Sequence, residues 1–368
     1  MKVTFIITSL SLGGAETFIC NLVDKLKLKG VDVSLIVLMG KNQIRPLDNI
    51  NITYLNIKKS NPITWFMAIR NILLEFRNKK TDIIHANMFH AIILSRILIP
   101  FIPCKYLISS FHNNKEKSAF RMFLYRLTDK LSTINTNVSQ GAVNDYLLYK
   151  VCSPKKLITM YNGIPLENFK YSKKARDTLR KELNLHDNDI VIINVGRFTE
   201  AKGQLELIHA FHKVHQKNNK IRLILLGDGE MKDRIANKIE QLQLKEKIFT
   251  PGFKKNISDF LSASDLFILS SQWEGFGLVL AEAMSCKLPI ISTNVGGTTE
   301  VLQNNGIYAL SPSSSDLADS LEFFLTLSID NVNKYIEGAY NHVIDNFDID
   351  HIAVKWIAIY NDLLKNNI

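Results

Sequence analysis

The sequence predicts an α/β chain built from two doubly wound, Rossmann-like domains. Two observations lead there. At 368 residues the chain exceeds the span that one hydrophobic core usually organises. Three times, moreover, an apolar run passes through a glycine turn into a helical pattern, as at the start of a doubly wound unit. These are residues 3–8 with Gly13 and Gly14, residues 190–195 with Gly196, and residues 265–270 with Gly275 and Gly277.

Taken in order, the first strand covers residues 3–8, and a helix then runs to about residue 29 with Phe18, Leu22 and Leu26 on one face. A second strand is read at 31–38. Residues 61–80 give a helix with Trp65, Phe66, Ile69, Leu73 and Phe76 along one side. Lys58, Lys59, Arg70, Arg77, Lys79 and Lys80 flank it. Core packing with a solvated polar face explains this pattern, and an interfacial membrane helix uses the same residue types. Strands at 82–87 and 106–112 end in polar groups. Ligands of doubly wound sheets sit beyond the carboxyl ends of the strands, so His85, Asn87 and His112 are expected at a cleft. Residues 115–130 mix Lys117, Arg121, Arg126 and Lys130 with Phe120, Met122, Phe123, Leu124 and Tyr125. The spacing brings Lys117, Arg121 and Arg126 near one face, which makes this segment the better membrane or acceptor contact. A strand at 132–139 and the turn at Asn162 and Gly163 close the domain, and the basic stretch 169–180 reads as a linker.

The second domain opens with the strand ending in Gly196. Arg197 and Lys202 follow it, a guanidinium fork and a point charge suited to a diphosphate. A strand at 221–226 ends in Gly227, and Gly252 with Phe253 forms a later turn. The most informative stretch is 271–284. A helix beginning near Gly277 leaves unpaired N–H donors and about half a positive charge around Gly275, Phe276, Gly277 and Leu278, a setting that suits phosphate. Glu274 stands just before that helix end and Glu282 about two turns along it. Carboxylates in those places can accept hydrogen bonds from sugar hydroxyls. Asp187 with Asp189, and Asp348 with Asp350, have the Asp-x-Asp spacing of metal-binding transferases, but neither pair lies on a phosphate loop. His209, His212 and His215 share a helix with Leu205, Ile208 and Phe211 and read as solvated side chains. No metal and no cofactor are expected.

Glu274 and Glu282, with Gly-Phe-Gly-Leu between them, resemble the Glu-x7-Glu motif of retaining glycosyltransferases of nucleotide-sugar family 4. Gly196-Arg197 with Lys202-Gly203, and Gly13-Gly14-Ala15-Glu16, are similar to further motifs of that family. The resemblance implies the GT-B fold, two Rossmann-like domains facing across a cleft. They would occupy residues 1–168 and 169–348, with a final helix in 349–368 crossing back to the first. It also implies that Arg197, Lys202 and the helix amides bind the donor diphosphate. Glu274 would meet the sugar, Glu282 the ribose, and the main chain of Gly252 and Phe253 the base. Gly13 and Gly14 would face the diphosphate, Asn162 would mark the interdomain crossing, and His112 would lie near the transferred sugar. His85 matches a histidine of the family; Asn87 replaces a second one and is assigned no acid–base role. The expected reaction is a retaining transfer of a hexose or N-acetylhexosamine from a UDP-linked donor.

The composition, 46% hydrophobic and 22% charged, is ordinary for a globular protein. No apolar run approaches the roughly 18 to 20 residues that span a bilayer. Residues 3–8 are too short for a secretion signal. Cys20, Cys104, Cys152 and Cys286 show no paired spacing, which fits reduced thiols in a cytoplasm. Residues 1–168 hold 22 Lys and Arg against 10 Asp and Glu, and the rest 23 against 25, so the net +10 belongs to the first domain. An anionic membrane surface is the partner that best fits this charge, because nothing in the chain reads as a nucleic-acid module. The expectation is an enzyme peripheral on the cytoplasmic face of a bacterial inner membrane. There it would extend a lipid-linked saccharide or polysaccharide acceptor in capsule, O-antigen or exopolysaccharide assembly. Two other classes stay open: a nucleotide-sugar epimerase, which needs no acceptor, and a non-catalytic glycan- or membrane-binding protein.

Overall fold

The computed structural model describes residues 1–40, 42–46, 50–113 and 118–365. Lys117, expected on a basic face, lies outside the described residues. Two compact units divide the chain, Met1–Ile164 with Ile349–Ile368, and Pro165–Asp348.

The first unit begins β1 (Lys2–Ile7), α1 (Gly14–Leu28), β2 (Asp32–Val37) and β3 (Asn51–Tyr54). It continues with α2 (Pro62–Asn78), β4 (Ile83–Asn87), α3 (Phe89–Leu98) and β5 (Tyr106–Ser110). Then come α4 (Ala119–Thr128), β6 (Ile134–Asn137), α5 (Gln140–Leu148) and β7 (Leu157–Thr159). All strands pair in parallel, in the order β3-β2-β1-β4-β5-β6-β7, so the order reverses between β1 and β4. Every residue of β4 and β5 is buried, as a parallel sheet covered on both faces requires. Helices α2 to α5 cover one face, their Ile72, Phe76, Leu94, Tyr125 and Tyr146 sharing one apolar core. Arg96 of α3 is fully buried in this layer. It donates to Ser132 (2.8 Å), to the Tyr125 carbonyl (2.9 Å) and to Asn135, and so ties α3 to α4 and β6.

The second unit starts with α6 (Lys173–Glu182), β8 (Ile190–Val195), α7 (Gln204–His215), β9 (Ile221–Leu226) and α8 (Lys232–Gln241). Next are β10 (Ile248–Gly252), α9 (Ile257–Ala263), β11 (Leu266–Leu269), α10 (Leu278–Ser285) and β12 (Ile290–Thr293). It ends with α11 (Thr298–Leu302), β13 (Ile307–Ala309), α12 (Ser314–Thr326) and α13 (Ile329–Phe347). The parallel order β10-β9-β8-β11-β12-β13 reverses between β8 and β11. The stretch 169–180, expected as a linker, is instead largely helical and fixed. Ser172 caps α6, and Arg176 and Arg180 both pair with Asp265 (2.6 and 3.2 Å), which also accepts the Val191 N–H. Its two arginines answer that distant carboxylate, while Lys170, Lys173 and Lys174 are exposed.

The final helix, α14 (Ile349–Lys365), belongs to the first unit and packs on α1, where Lys25 and Lys29 hold Asp350 at 2.8 and 3.0 Å. A side chain on Gly163 would collide with the Ile349 backbone at 2.8 Å, so glycine is required where α14 begins. His85 sits under this helix. It is fully buried between the Phe5 and Trp356 rings, 4.5 Å from each, and its ring nitrogens bond the Tyr360 hydroxyl (2.8 Å) and Ser110 Oγ (2.7 Å). The expectation that His85 faces a ligand is therefore corrected: no polar atom of the ring is left over. None of the described helices is long and apolar enough to cross a membrane. Replacing Tyr360 by Phe strands a buried ring nitrogen, and we expect a loss of about 1–3 kcal/mol, read as a lower urea midpoint; an unchanged midpoint would show that the bond is dispensable.

Candidate functional site

Where the strand order of the second unit reverses, β8 and β11 lie side by side and the loops after them meet. Such a reversal is where doubly wound sheets open a ligand crevice. Beyond β8 the chain passes Gly196 and the exposed Arg197, then makes one 3-10 turn, Glu200–Lys202, ended by Gly203 at φ +62°. A Cβ on Gly203 would stand 2.1 Å from the Ser270 carbonyl oxygen, so only bare backbone lets this turn rest on the end of β11. Hydrogen bonds lace the loops together. Ser270 Oγ donates to the Lys202 carbonyl and the Gln272 N–H to the Ala201 carbonyl, each at 2.8 Å. In consequence Lys202 Nζ reaches Glu274 Oε2 at 2.5 Å, and Ser271 Oγ donates to the same oxygen at 3.1 Å. The aliphatic stem of Lys202 runs past Gly196, where a Cβ would touch it at 3.5 Å.

Gly275 and Gly277 carry the chain from Glu274 into α10, with Gly277 at φ +87° as N-cap and Leu278 as the first helical residue. The first amides of the helix have no intrahelical acceptors and form the positive end of its dipole. Phe276 departs from expectation. Its side chain is buried against Phe347, 5.2 Å between ring centroids, so it anchors the loop to α13 and only its main chain remains for a ligand. Further along α10, Glu282 is 8% exposed, and its Oε2 has no hydrogen-bond partner among the described residues. Burial pushes its pKa up to about 7. A buried carboxyl oxygen without a donor is costly, and a ligand donor placed there would relieve that cost.

Glycines also join the ends of β8, β9 and β10. The Gly196 N–H donates to the Leu226 carbonyl and the Gly227 N–H to the Gly252 carbonyl, while a Cβ on Gly227 would lie 1.9 Å from the Gly196 oxygen. Gly252 has open space where its side chain would be, and Phe253 beside it is exposed. Sequence reasoning missed the residues that hold this floor. Thr293 Oγ1 donates to the Ser271 carbonyl (2.8 Å) and Thr298 Oγ1 to the Thr293 carbonyl (2.9 Å). For Thr293 the available signal was its place at the end of an apolar run, whereas Thr298 follows the Gly296-Gly297 turn.

The other expected residues lie in the first unit. His112 Nε2 donates to Asn87 Oδ1 at 3.0 Å, because the Asn87 amide nitrogen already donates to the His85 carbonyl. Asn87 itself is fully buried, which corrects its expected place at a ligand and makes it a support for His112. Burial pushes the His112 pKa down to about 4, and its Nδ1 has no partner among the described residues. Gly13, extended at φ −172°, precedes α1, and Gly14 is its first residue. Asn162 is buried, with Oδ1 unpartnered among the described residues. Asp189 pairs with Arg222 at 2.9 Å and Asp350 with Lys25, so these carboxylates serve as structural anchors. His215 stacks on Phe211.

Two family models match the chain. Residues 12–168 match Glycosyltransferase Family 4, and residues 175–342 match Glycosyl transferases group 1. N-acetyl-alpha-D-glucosaminyl L-malate synthase of Bacillus anthracis is 28% identical over 246 residues, 66% of this chain and 63% of that protein. A second relative, from Campylobacter jejuni, is N-acetylgalactosamine-N,N'-diacetylbacillosaminyl-diphospho-undecaprenol 4-alpha-N-acetylgalactosaminyltransferase. It is 26% identical over 352 residues, 92% of this chain and 88% of that one. Among solved structures, Anabaena HepE in complex with UDP matches with a TM-score of 0.85 at 20% identity, covering 98% of this chain and 100% of that one.

The contact between Gly203 and Ser270 is directly testable. Left-handed backbone costs a non-glycine residue about 1–2 kcal/mol before any overlap is counted. Gly203→Ala is expected to lose more than that in chemical unfolding, and wild-type stability would contradict the packing described.

Proposed function

Because the chain belongs to the family 4 glycosyltransferases and has their GT-B architecture, we propose a retaining, metal-independent transfer of a hexose or N-acetylhexosamine from a UDP-linked donor to a lipid-linked saccharide. The observation that carries this reading is the meeting of Lys202 and Glu274 at 2.5 Å, beside a helix N-terminus and at the strand-order reversal. A cation, a carboxylate and oriented amides together fit a sugar diphosphate better than either half of it.

In this reading Arg197, Lys202 and the first amides of α10 stabilise the charge that develops on the departing diphosphate. Glu274, released from Lys202 by the incoming phosphate, accepts hydrogen bonds from the sugar hydroxyls. Glu282 accepts them from the ribose. The bond from the anomeric carbon to the phosphate oxygen breaks, and a bond to the acceptor oxygen forms on the same face. The acceptor's proton passes to the leaving diphosphate, so no separate base is needed. His112, neutral because of its burial, contributes hydrogen bonds and not charge. The acceptor is assigned to the first unit and to an anionic membrane surface, supported by the excess of Lys and Arg in residues 1–168. The name of the Campylobacter relative, which acts on a diphospho-undecaprenol, supports a lipid-linked acceptor in surface-glycan assembly.

A panel of nucleotide sugars with lipid extract as acceptor, read by mass spectrometry, tests the proposal; a donor isomerised without acceptor would instead reveal an epimerase. Lys202→Ala and Glu282→Ala are each expected to lower transfer about 10²- to 10³-fold without unfolding the protein. Glu282 also sets a pH dependence. With its pKa raised to about 7, it is half protonated near neutrality, whereas ribose hydroxyls favour the charged acceptor. Donor affinity measured by calorimetry should therefore rise with pH through about 7 in the wild type. It should be flat in Glu282→Gln, and equal slopes in both would rule out the ribose contact.

A further inference from the structure

The loop that carries Glu274, residues 270–277, is fixed on both sides of one residue. Before it, Ser270 Oγ and the Gln272 N–H bond the 3-10 turn after β8. Thr293 Oγ1 donates to the Ser271 carbonyl, and the Gln272 side chain donates to the Pro312 carbonyl at 3.3 Å. After it, Glu274 folds inward onto Lys202 and Ser271, and Phe276 packs against Phe347. The residue between is Trp273, which is 62% exposed. An aromatic side chain is among the most costly to leave in water. The other two tryptophans are covered: Trp356 is 2% exposed, and Trp65 packs against the core of the first unit. Single exposed apolar residues are ordinary on a surface. Trp273 differs in being held out by a loop whose other residues are fixed, directly before a carboxylate of the candidate site. Phe198 and Phe276, the other aromatic residues of the loops after β8 and β11, are buried. Among the described residues of these two loops, Trp273 is therefore the one aromatic ring open to a ligand.

A carboxylate and an exposed aromatic ring on adjacent residues suit a pyranose. Hydroxyls lie around the edge of the sugar ring and donate to a carboxylate, while the C–H bonds above and below it are apolar. Stacking one such face on an aromatic surface removes apolar area from water on both partners. How much C–H surface a sugar offers depends on its configuration. In a gluco sugar the ring hydroxyls beyond the anomeric carbon are equatorial, and the axial hydrogens are divided between the two faces. In a galacto sugar the axial hydroxyl at C4 moves to one face. It leaves the hydrogens of C3, C4 and C5 together on the other, as one apolar patch. We propose that Trp273 stacks on the C–H face of the transferred sugar while Glu274 takes its hydroxyls, and that this ring makes the site selective for galacto-configured donors. The assignment rests on the glycosyltransferase reading above, and it narrows the hexose or N-acetylhexosamine named there. Recognition of the diphosphate stays with Arg197, Lys202 and the α10 amides, whatever sugar is attached.

Calorimetry of the full chain with UDP and with two pairs of sugar nucleotides tests this. The pairs are UDP-galactose with UDP-glucose, and UDP-N-acetylgalactosamine with UDP-N-acetylglucosamine. In the pair that binds more tightly, wild type should favour the galacto sugar by about three- to tenfold, the scale of one aromatic contact. Trp273→Ala should abolish that preference and leave UDP affinity unchanged, which also shows that the variant is folded. Trp273→Phe, which keeps a ring, should retain most of the preference. A gluco preference or no preference in the wild type would overturn the proposal, as would a preference that survives in Trp273→Ala. Equal weakening of UDP and of every sugar nucleotide in Trp273→Ala would also overturn it, since the ring would then serve the loop or the base and not the sugar. Absence of UDP binding by wild type would instead count against the donor reading.

Discussion

A carbonyl resting on a residue without a side chain determines the geometry of the candidate site. Because Gly203 is bare, the 3-10 turn after β8 lies directly on Ser270 at the end of β11. Two backbone-directed bonds, from Ser270 and Gln272, then fix the turn. Everything chemical at the site follows from that contact. Lys202 and Glu274 come from loops far apart in the sequence, yet they meet because the turn cannot drift. The same compactness at Gly227 and Gly196 keeps the ends of β8 and β9 free of side chains, as close approach of a phosphate or base requires.

Electrostatics give the site its direction. Lys202 and Glu274 are each largely shielded, with side chains 22% and 14% exposed, and their contact holds both side chains in place. In the proposed reading an incoming diphosphate, which carries more charge than one carboxylate, would be favoured in the exchange for Lys202. Glu282 is the complement: a buried carboxyl with an unmet oxygen among the described residues, its pKa pushed up to about 7 by desolvation. In the proposed reading one group is held by a partner and the other is partly protonated, and a sugar nucleotide would release both.

Much of this was legible in the sequence because its signals are local. The apolar runs that became β1, β8 and β11, the glycines after them and the two acids eight residues apart depend on neighbours along the chain. What was misread depends on partners far away. The basic stretch that became α6 looked like a linker because Asp265, which its arginines hold, comes more than eighty residues later. His85 looked available because the helix that seals it, α14, comes from the other end of the chain. Phe276 looked like part of a glycine-rich loop, yet its burial is set by Phe347 at the end of α13. Arg126 shared helical spacing with Arg121, but the carbonyls at the end of α5 claimed it.

In the first unit the sheet places three helix starts at one edge, where Trp65, Phe89, His90 and Arg121 pack together. The central claim concerns the second unit, and a crystal structure with UDP tests it most directly. The account predicts diphosphate oxygens within hydrogen-bond distance of Lys202 Nζ and the Arg197 guanidinium, with the ribose hydroxyls on Glu282 and the Lys202–Glu274 bond broken. A nucleotide bound elsewhere, or one that leaves that bond intact and Glu282 unmet, would contradict it.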